Sequence, residues 1–354
     1  MAEILGLTVS DFPFLRMKPA NMPWVLWGNL AWGWRDKPHL RDPANWPAPM
    51  RAEWGSDQDQ GRTAGAAHQL RQHDQFRTLR RALDDFRPDL LLMMYRDVHE
   101  TFAATERPQW WLHTHEAIQV QPWNLWTFFR DNWFEEDPGK VVTLRGHPQA
   151  ADVLAKHLAN VGIAPRLVPE SPHPAGLGHN CIAGTVHLDF DRREFATPVL
   201  PLGIDPFRFG RVRDEEGLSS LDLTRDDPPL TPQGAFDLGV EIARAFKPSP
   251  WRVAIVAAGD WSHANDSGKA NERIHPDVEA DRALFEQWQQ GDYGAWPRQL
   301  SFEHFERHAQ WELLIPTVLA GAMSDVGAGA PRHADFQPTW VCNDNFVTTI
   351  FEPR

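Results

Sequence analysis

Short apolar runs alternate along this chain with longer segments whose apolar residues recur at helical spacing. Uninterrupted apolar runs of four to seven residues are typical of strands that are buried on both faces of a sheet. Strands are therefore predicted at 4–10, 89–95, 165–169, 198–204, 253–256 and 346–351.

The intervening segments carry the signals of helices. Phe76, Leu79 and Leu83 lie on one helical face, and Pro88 ends that helix. Helices are predicted at 68–86, 146–162 and 231–246, from about 276 to 285, and within the segment that ends near 323. Because helices alternate with apolar strands, the sequence predicts an α/β fold. We expect one large domain over residues 1–354, with a central, mostly parallel or mixed sheet flanked by helices.

Two long stretches interrupt this alternation. Residues 18–61 and 103–140 are rich in proline and tryptophan and show weak periodicity, with room for one short helix in the first stretch. We interpret both as lid-like excursions over a site, because long ordered loops in compact domains are often functional. Residues 211–229 are highly charged and are interpreted as a surface loop.

Composition narrows the classes of partner. The formal charge is −13 and no dense Lys/Arg cluster occurs, which argues against nucleic acid or an anionic membrane as a partner. Two distant cysteines, no signal-peptide pattern and no apolar run long enough to cross a bilayer predict a reduced, cytoplasmic protein. Seventeen tryptophans provide material for an aromatic pocket, although most should serve packing.

Polar residues that could carry chemistry lie where predicted strands end or helices begin. The familiar phosphate-binding, nucleophile-elbow and zinc-protease motifs are absent from the sequence. Each candidate also has a structural explanation: turn capping, a solvated loop position, a structural turn histidine or the favourable interaction of an acid with a helix dipole. The candidates are Asp11, His99, His179, His263 and Glu279.

Several stretches together resemble the type III extradiol ring-cleavage dioxygenases, the superfamily of the protocatechuate 4,5-dioxygenase catalytic subunit. The similarity follows the same order along nearly the whole chain, although each match is weak by itself. The stretches are GLTVSDFPFL at 6–15, FRPDLLLMMYRDVHETF at 86–102, LRGHPQAADVLAKHL at 144–158, GLGHNCIAGTVHLDF at 176–190, WRVAIVAAGDWSHA at 251–264, HPDVEADRALF at 275–285, LLIPTVLAGAM at 313–323 and CNDNF at 342–346.

The resemblance implies a mononuclear non-haem Fe(II) site with two histidines and one glutamate, and a further histidine as acid/base. By position, Glu279 matches the carboxylate ligand and His179 the acid/base, while His263 lies on the loop beside the site and is assigned a catalytic role. Asn345 matches a polar residue near the end of the family's chain, and we assign it and Trp261 to substrate contact.

The sequence departs from the family pattern at the metal. The first histidine ligand lines up with Asp11, and the second with Val98, one residue before His99. A ligand set of Asp11, His99 and Glu279 would hold two carboxylates and one imidazole, which accepts Fe(II), Mn(II) or Mg(II) less selectively. We expect these three residues to converge at the ends of separate strands. If the altered positions abolish the site, no metal binds.

Three functions follow from these observations. The first is an oxidoreductase of aromatic compound catabolism, a metal-dependent dioxygenase that cleaves a hydroxylated aromatic or heteroaromatic ring with O2. The second is a non-catalytic or metal-free homologue that serves as a structural or partner subunit of an active dioxygenase. The third is a metal-free enzyme of hydrolytic or isomerase type. Either a homo-oligomer or a pair with a homologous subunit is expected.

Overall fold

An eight-stranded mixed sheet organises the fold of the computed structural model. The structure describes residues 2–33, 38–97, 100–102, 108–124, 130–192, 195–206, 230–264 and 274–354. The strands are β1 (Glu3–Val9), β2 (Leu90–Arg96), β3 (Trp110–His113), β4 (Ala117–Val120), β5 (Val142–Arg145), β6 (Arg166–Val168), β7 (Val199–Ile204), β8 (Arg252–Ala258), β9 (His333–Gln337) and β10 (Phe346–Ile350).

The strand order of the main sheet is β6-β3-β7-β2-β8-β1-β10-β9, and β4 and β5 form a separate two-stranded antiparallel sheet. The four central strands β7, β2, β8 and β1 run parallel to one another. In contrast, β10 is antiparallel to β1, so β10 begins at the edge where the central strands end. The predicted α/β class with a mostly parallel or mixed sheet is confirmed.

Helices cover both faces of the sheet. They are α1 (Trp24–Gly28), α2 (Pro38–Arg41), α3 (Ala48–Trp54), α4 (Arg62–Phe86), α5 (Pro148–Asn160), α6 (His179–Leu188), α7 (Pro232–Phe246), α8 (Val278–Gln290), α9 (Trp296–Gln299), α10 (Phe302–His308) and α11 (Leu314–Asp325). One core layer holds apolar side chains of α4 and α6, and the other holds those of α5, α7 and α11.

Strand β8 shows why the apolar runs are continuous. Val253 and Ile255 pack into the layer under α7 and α11, whereas Ala254 and Val256 pack into the layer under α4 and α6. Because successive side chains point to opposite faces, a strand between two helical layers must be apolar at every position.

The helix predictions are confirmed in type, with shifts at the boundaries. Helix α4 begins at Arg62, six residues before the predicted start. The side chain of Thr231 accepts a hydrogen bond from the backbone N–H of Gly234, as expected of an N-cap. Gly162 has a φ of 86° just after α5, in the left-handed region that favours glycine.

Other expectations need correction. The 18–61 stretch contains several short helices, including α1, α2 and α3, rather than one. The second excursion, 103–140, contains β3 and β4, and β3 is part of the main sheet. Two of its tryptophans, Trp110 and Trp111, belong to the buried strand β3 and are 7% and 0% exposed. The predicted loop at 211–229 lies outside the described residues.

Candidate functional site

A buried group of charged side chains lies at the edge where the parallel strands end. Asp11 follows β1, Arg96 ends β2, and Asp260 follows β8. The register pairs Val9 with Ala258 and Tyr95 with Ala258, so these three positions lie side by side. This is the edge at which open α/β sheets bind their ligands.

Two acids from later in the chain complete the group. Glu312 lies in a short 3-10 helix, Trp311–Leu313, just before α11. Asp344 lies just before β10, which begins at the same edge because it runs antiparallel to β1. We call Asp11, Arg96, Asp260, Glu312 and Asp344 the acidic cluster; each of these residues is at most 5% exposed.

Hydrogen bonds fix several members of the acidic cluster. A guanidinium nitrogen of Arg96 lies 2.8 Å from Oε1 of Glu312, and its Nε lies 4.0 Å from Oδ2 of Asp11. The backbone N–H of Asp260 donates to Oε2 of Glu312 at 2.9 Å. Ser10 donates its hydroxyl proton to Oδ2 of Asp260 at 2.7 Å. The cluster therefore connects β1, β2, β8 and the turn before α11.

Four buried carboxyl groups face a single guanidinium in this cluster, and they cannot all be ionised cheaply. Burial raises the pKa of Glu312 to about 8; Arg96 opposes this rise, and the nearby carboxylates add to it. Burial and repulsion by neighbouring carboxylates also raise the pKa of Asp260 and Asp344 well above the ordinary range. Burial alone would lower the pKa of Arg96, but the carboxylates around it raise it instead.

His263 brings an imidazole to this group. It forms an isolated antiparallel bridge with Asp344, and its Nε2 lies 3.6 Å from Oδ1 of Asp344. Nδ2 of Asn343 donates to the other ring nitrogen at 2.8 Å, which fixes the plane of the ring. One ligand atom each from His263, Glu312 and Asp344 lie within 4.8 Å of one another. Among the residues that the structure describes, no other group of three or more His, Cys, Asp or Glu side chains brings its ligand atoms this close together.

The donor set fits a divalent cation. It consists of one imidazole nitrogen and two carboxylate oxygens, which suits Fe(II) or Mn(II). Oδ1 of Asp344 and Oδ1 of Asp260 are buried without a hydrogen-bond partner. Buried polar atoms are nearly always paired, so two unpaired carboxylate oxygens at one place are consistent with a bound cation.

The predicted acid/base residue lies beside the acidic cluster. His179 is the first residue of α6, and the next residue, Asn180, donates its side-chain amide to Asp11. Nδ1 of His179 lies 2.8 Å from Oε1 of Glu100, and its backbone N–H donates to Oε2 at 2.9 Å. His173 lies 3.7 Å from the same carboxylate. Burial favours the neutral form of Glu100, but the two histidines hold its pKa well below the ordinary value.

Of the predicted ligands Asp11, His99 and Glu279, the structure describes Asp11 and Glu279, and it does not bring these two together. Asp11 belongs to the acidic cluster, but it is outside the group of three potential ligands. Glu279 is exposed on the first turn of α8, because the helix turns Asp281 rather than Glu279 toward the core. His99 lies outside the described residues.

The two predicted substrate residues are engaged within the protein. Trp261 is fully buried and packs against the rings of Phe285, Trp288 and Trp296, so the structure places it in the core. The amide of Asn345 is also buried: Oδ1 accepts from the backbone N–H of Thr339, and Nδ2 donates to a carboxylate of α8.

Glu312, Asp344, Asp260, Arg96 and Glu100 were not singled out from the sequence. A signal was available for some of them, because Arg96 and Asp260 directly follow apolar strands and Asp344 lies in the CNDNF stretch. Nothing local marks Glu312, a single acid in front of an apolar helix. No helix in the described part of the chain is both long and apolar enough to cross a membrane. No protein-family model matches the chain, and no curated protein matches it.

Proposed function

We propose that this protein is a metal-dependent enzyme of the extradiol dioxygenase type, acting on a hydroxylated aromatic or heteroaromatic ring. The observation that carries the proposal is the convergence of His263, Glu312 and Asp344 within 4.8 Å, next to carboxyl oxygens that are buried without partners. The class of substrate rests on the sequence resemblance, and the metal site rests on the geometry.

In this proposal His263, Glu312 and Asp344 hold the cation. Bound Fe(II) or Mn(II) would act as a Lewis acid toward a ring hydroxyl and would supply the redox chemistry needed for O2. The side chain of His263 is 12% exposed, whereas that of Glu312 is fully buried. The buried cluster excludes water from the carboxylates, which strengthens their electrostatic effect on a bound cation.

His179 is proposed to move protons. Because Nδ1 is paired with Glu100, the proton of the neutral ring lies on Nδ1 and the lone pair on Nε2 is the basic site. Glu100 stabilises the imidazolium that forms when His179 takes a proton, in the way a buried carboxylate orients a catalytic histidine.

Metal analysis tests the proposal. Protein purified without chelators, or loaded with Fe(II) under anaerobic conditions, should hold one cation per chain and consume O2 with catechol or protocatechuate as probe. Asp344→Asn and Glu312→Gln should lose the cation, whereas Glu279→Gln should keep it. The proposal would be overturned if the protein held no cation after loading with Fe(II) and none after loading with Mn(II).

One observation favours a second candidate, a metal-free homologue that partners an active subunit. Arg96 already supplies a cation to the acidic cluster, 2.8 Å from Glu312. In this alternative the guanidinium replaces the metal as the counter-charge. The wild-type protein would then bind no divalent cation, and Arg96→Met would create a binding site that the wild type lacks.

A further inference from the structure

Asp281 is a buried carboxylate that collects hydrogen bonds from three separate segments. It is 0% exposed on the first turn of α8. Its Oδ2 accepts from the hydroxyl of Ser262 at 2.5 Å, from the backbone N–H of Ser262 at 3.2 Å and from Nδ2 of Asn345 at 2.7 Å. Its Oδ1 accepts from Nε2 of Gln310 at 2.5 Å.

Each donor is a close neighbour in sequence of a potential metal ligand. Ser262 directly precedes His263, Asn345 directly follows Asp344, and Gln310 lies two residues before Glu312. The three segments that carry the ligands come from different parts of the chain, yet they are all bonded to one carboxylate.

Further bonds tie the same segments to one another. The backbone N–H of His263 donates to the carbonyl of Ala309 at 2.9 Å. The backbone N–H of Asp277, the N-cap of α8, donates to the hydroxyl of Ser262 at 2.8 Å. Side chains that orient ligands through hydrogen bonds affect metal affinity nearly as strongly as the ligands themselves.

We propose that Asp281 is a positioning residue that sets the mutual distances of His263, Glu312 and Asp344. This inference rests on the proposed metal site and deepens it. None of the four hydrogen bonds of the Asp281 carboxylate goes directly to a potential ligand. Asp281 acts through Ser262, Gln310 and Asn345.

The test measures the dissociation constant for Mn(II) alone, by the electron paramagnetic resonance signal of free Mn(II), on the full chain. Asp281→Asn should weaken binding at least ~10-fold, because an amide cannot accept all four donors. Glu279→Gln, two residues earlier on the same turn but exposed, should bind as the wild type does. In the reciprocal variant Asp281→Asn with Asn345→Asp, the carboxylate and amide exchange places, and affinity should partly return.

The outcomes separate the two proposals. If the wild type binds Mn(II) and a folded Asp281→Asn variant binds it equally well, the positioning role is overturned and the metal site stands. If the wild type binds neither Mn(II) nor Fe(II) loaded under anaerobic conditions, both are overturned. Should Asp281→Asn fail to fold, Ser262→Ala and Gln310→Ala decide, since each removes donors from one segment only. Unchanged affinity in both would overturn the positioning role, and weaker affinity in both would support it.

Discussion

At the scale of single residues, the pairing of His179 with Glu100 leads to a first prediction. Glu100→Gln removes the charge that holds the proton on Nδ1 of His179. The proton population should shift from Nδ1 toward Nε2, as measured by ¹⁵N chemical shifts of the ring, and any ring-cleavage rate should fall by about 100-fold. Glu170→Gln, a change of the same kind at an exposed position, serves as control. An unchanged ring spectrum in Glu100→Gln would contradict the role of Glu100.

A second residue-scale prediction concerns the guanidinium of the acidic cluster. Arg96→Met leaves Glu312 and Asp11 buried without their cation, and breaking a buried pair in this way costs about 3–5 kcal/mol. The free energy of unfolding measured by urea in the presence of EDTA should fall by that amount. Mn(II) should restore part of it.

Arg71→Met is the matched control for Arg96. Arg71 is bonded to Asp335, but its side chain is 49% exposed, so its loss should cost about 1 kcal/mol or less. If Arg96→Met and Arg71→Met lowered the free energy of unfolding by the same amount, Arg96 would not be an essential counter-charge.

At the scale of elements, two glycines allow α7 and α11 to pack closely. A Cβ added to Gly239 would lie 1.8 Å from the carbonyl oxygen of Val318, and one added to Gly321 would lie 1.9 Å from that of Phe236. Gly239→Ala should therefore push the helices apart and lower the free energy of unfolding by about 3 kcal/mol.

Gly294→Ala is the control for this packing prediction, because a Cβ at Gly294 meets no atom within 4 Å. Gly294→Ala should change the free energy of unfolding in urea by no more than about 0.5 kcal/mol. If Gly239→Ala were equally harmless, the contact between α7 and α11 would be looser than the structure indicates.

Helices and strands could be predicted from the sequence where they carry clear local signals. The central strands have continuous apolar runs, and α7 has a clear N-cap in Thr231, so both were found. Helix α6 was missed because it is buried at every position and contains Gly184, Thr185 and Val186, which are weak helix formers. Strand β9 was also missed, since four of its five residues are only partly buried and its sequence, HADFQ, lacks an apolar run.

At the scale of the whole molecule, the acidic cluster should make stability depend on pH. Folding raises the pKa of Glu312 to about 8, above its value in the unfolded chain, so the folded state binds the extra proton. This contribution is fully present at acid pH and is lost as the pH rises through about 8. Between pH 6.5 and 8.5 the free energy of unfolding of the metal-free protein should fall, by about 2 kcal/mol from this group alone.

Urea unfolding in EDTA at several pH values between 6.5 and 8.5 measures this slope. Glu312→Gln should have a shallower slope than the wild type, because it cannot ionise. Saturating Mn(II) should flatten the slope of the wild type, since a cation favours the ionised carboxylates. A wild-type stability that rises over this range would contradict the direction of the shift.

The candidate site was predicted less well than the fold, for a physical reason. Polar residues at strand ends can be recognised locally, and this identified Asp11, His179 and His263. Which of them meet depends on the register of strands far apart in sequence, as with β1 and β10, which pair Leu7 with Ile350. Two of the three potential ligands, Glu312 and Asp344, join the site only through such long-range contacts.

The position of β10 beside β1 also has a consequence during synthesis. A chain made from its N-terminus exposes β1, β2 and β8 to the cell well before Asp344 leaves the ribosome. Until then Arg96, Asp11 and Asp260 lack one of their partners, and the flank of β1 that β10 will occupy has unpaired backbone groups. The nascent protein therefore carries an open edge of the sheet beside the incomplete acidic cluster, and a single late step, the pairing of β10 with β1, both closes that edge and completes the cluster.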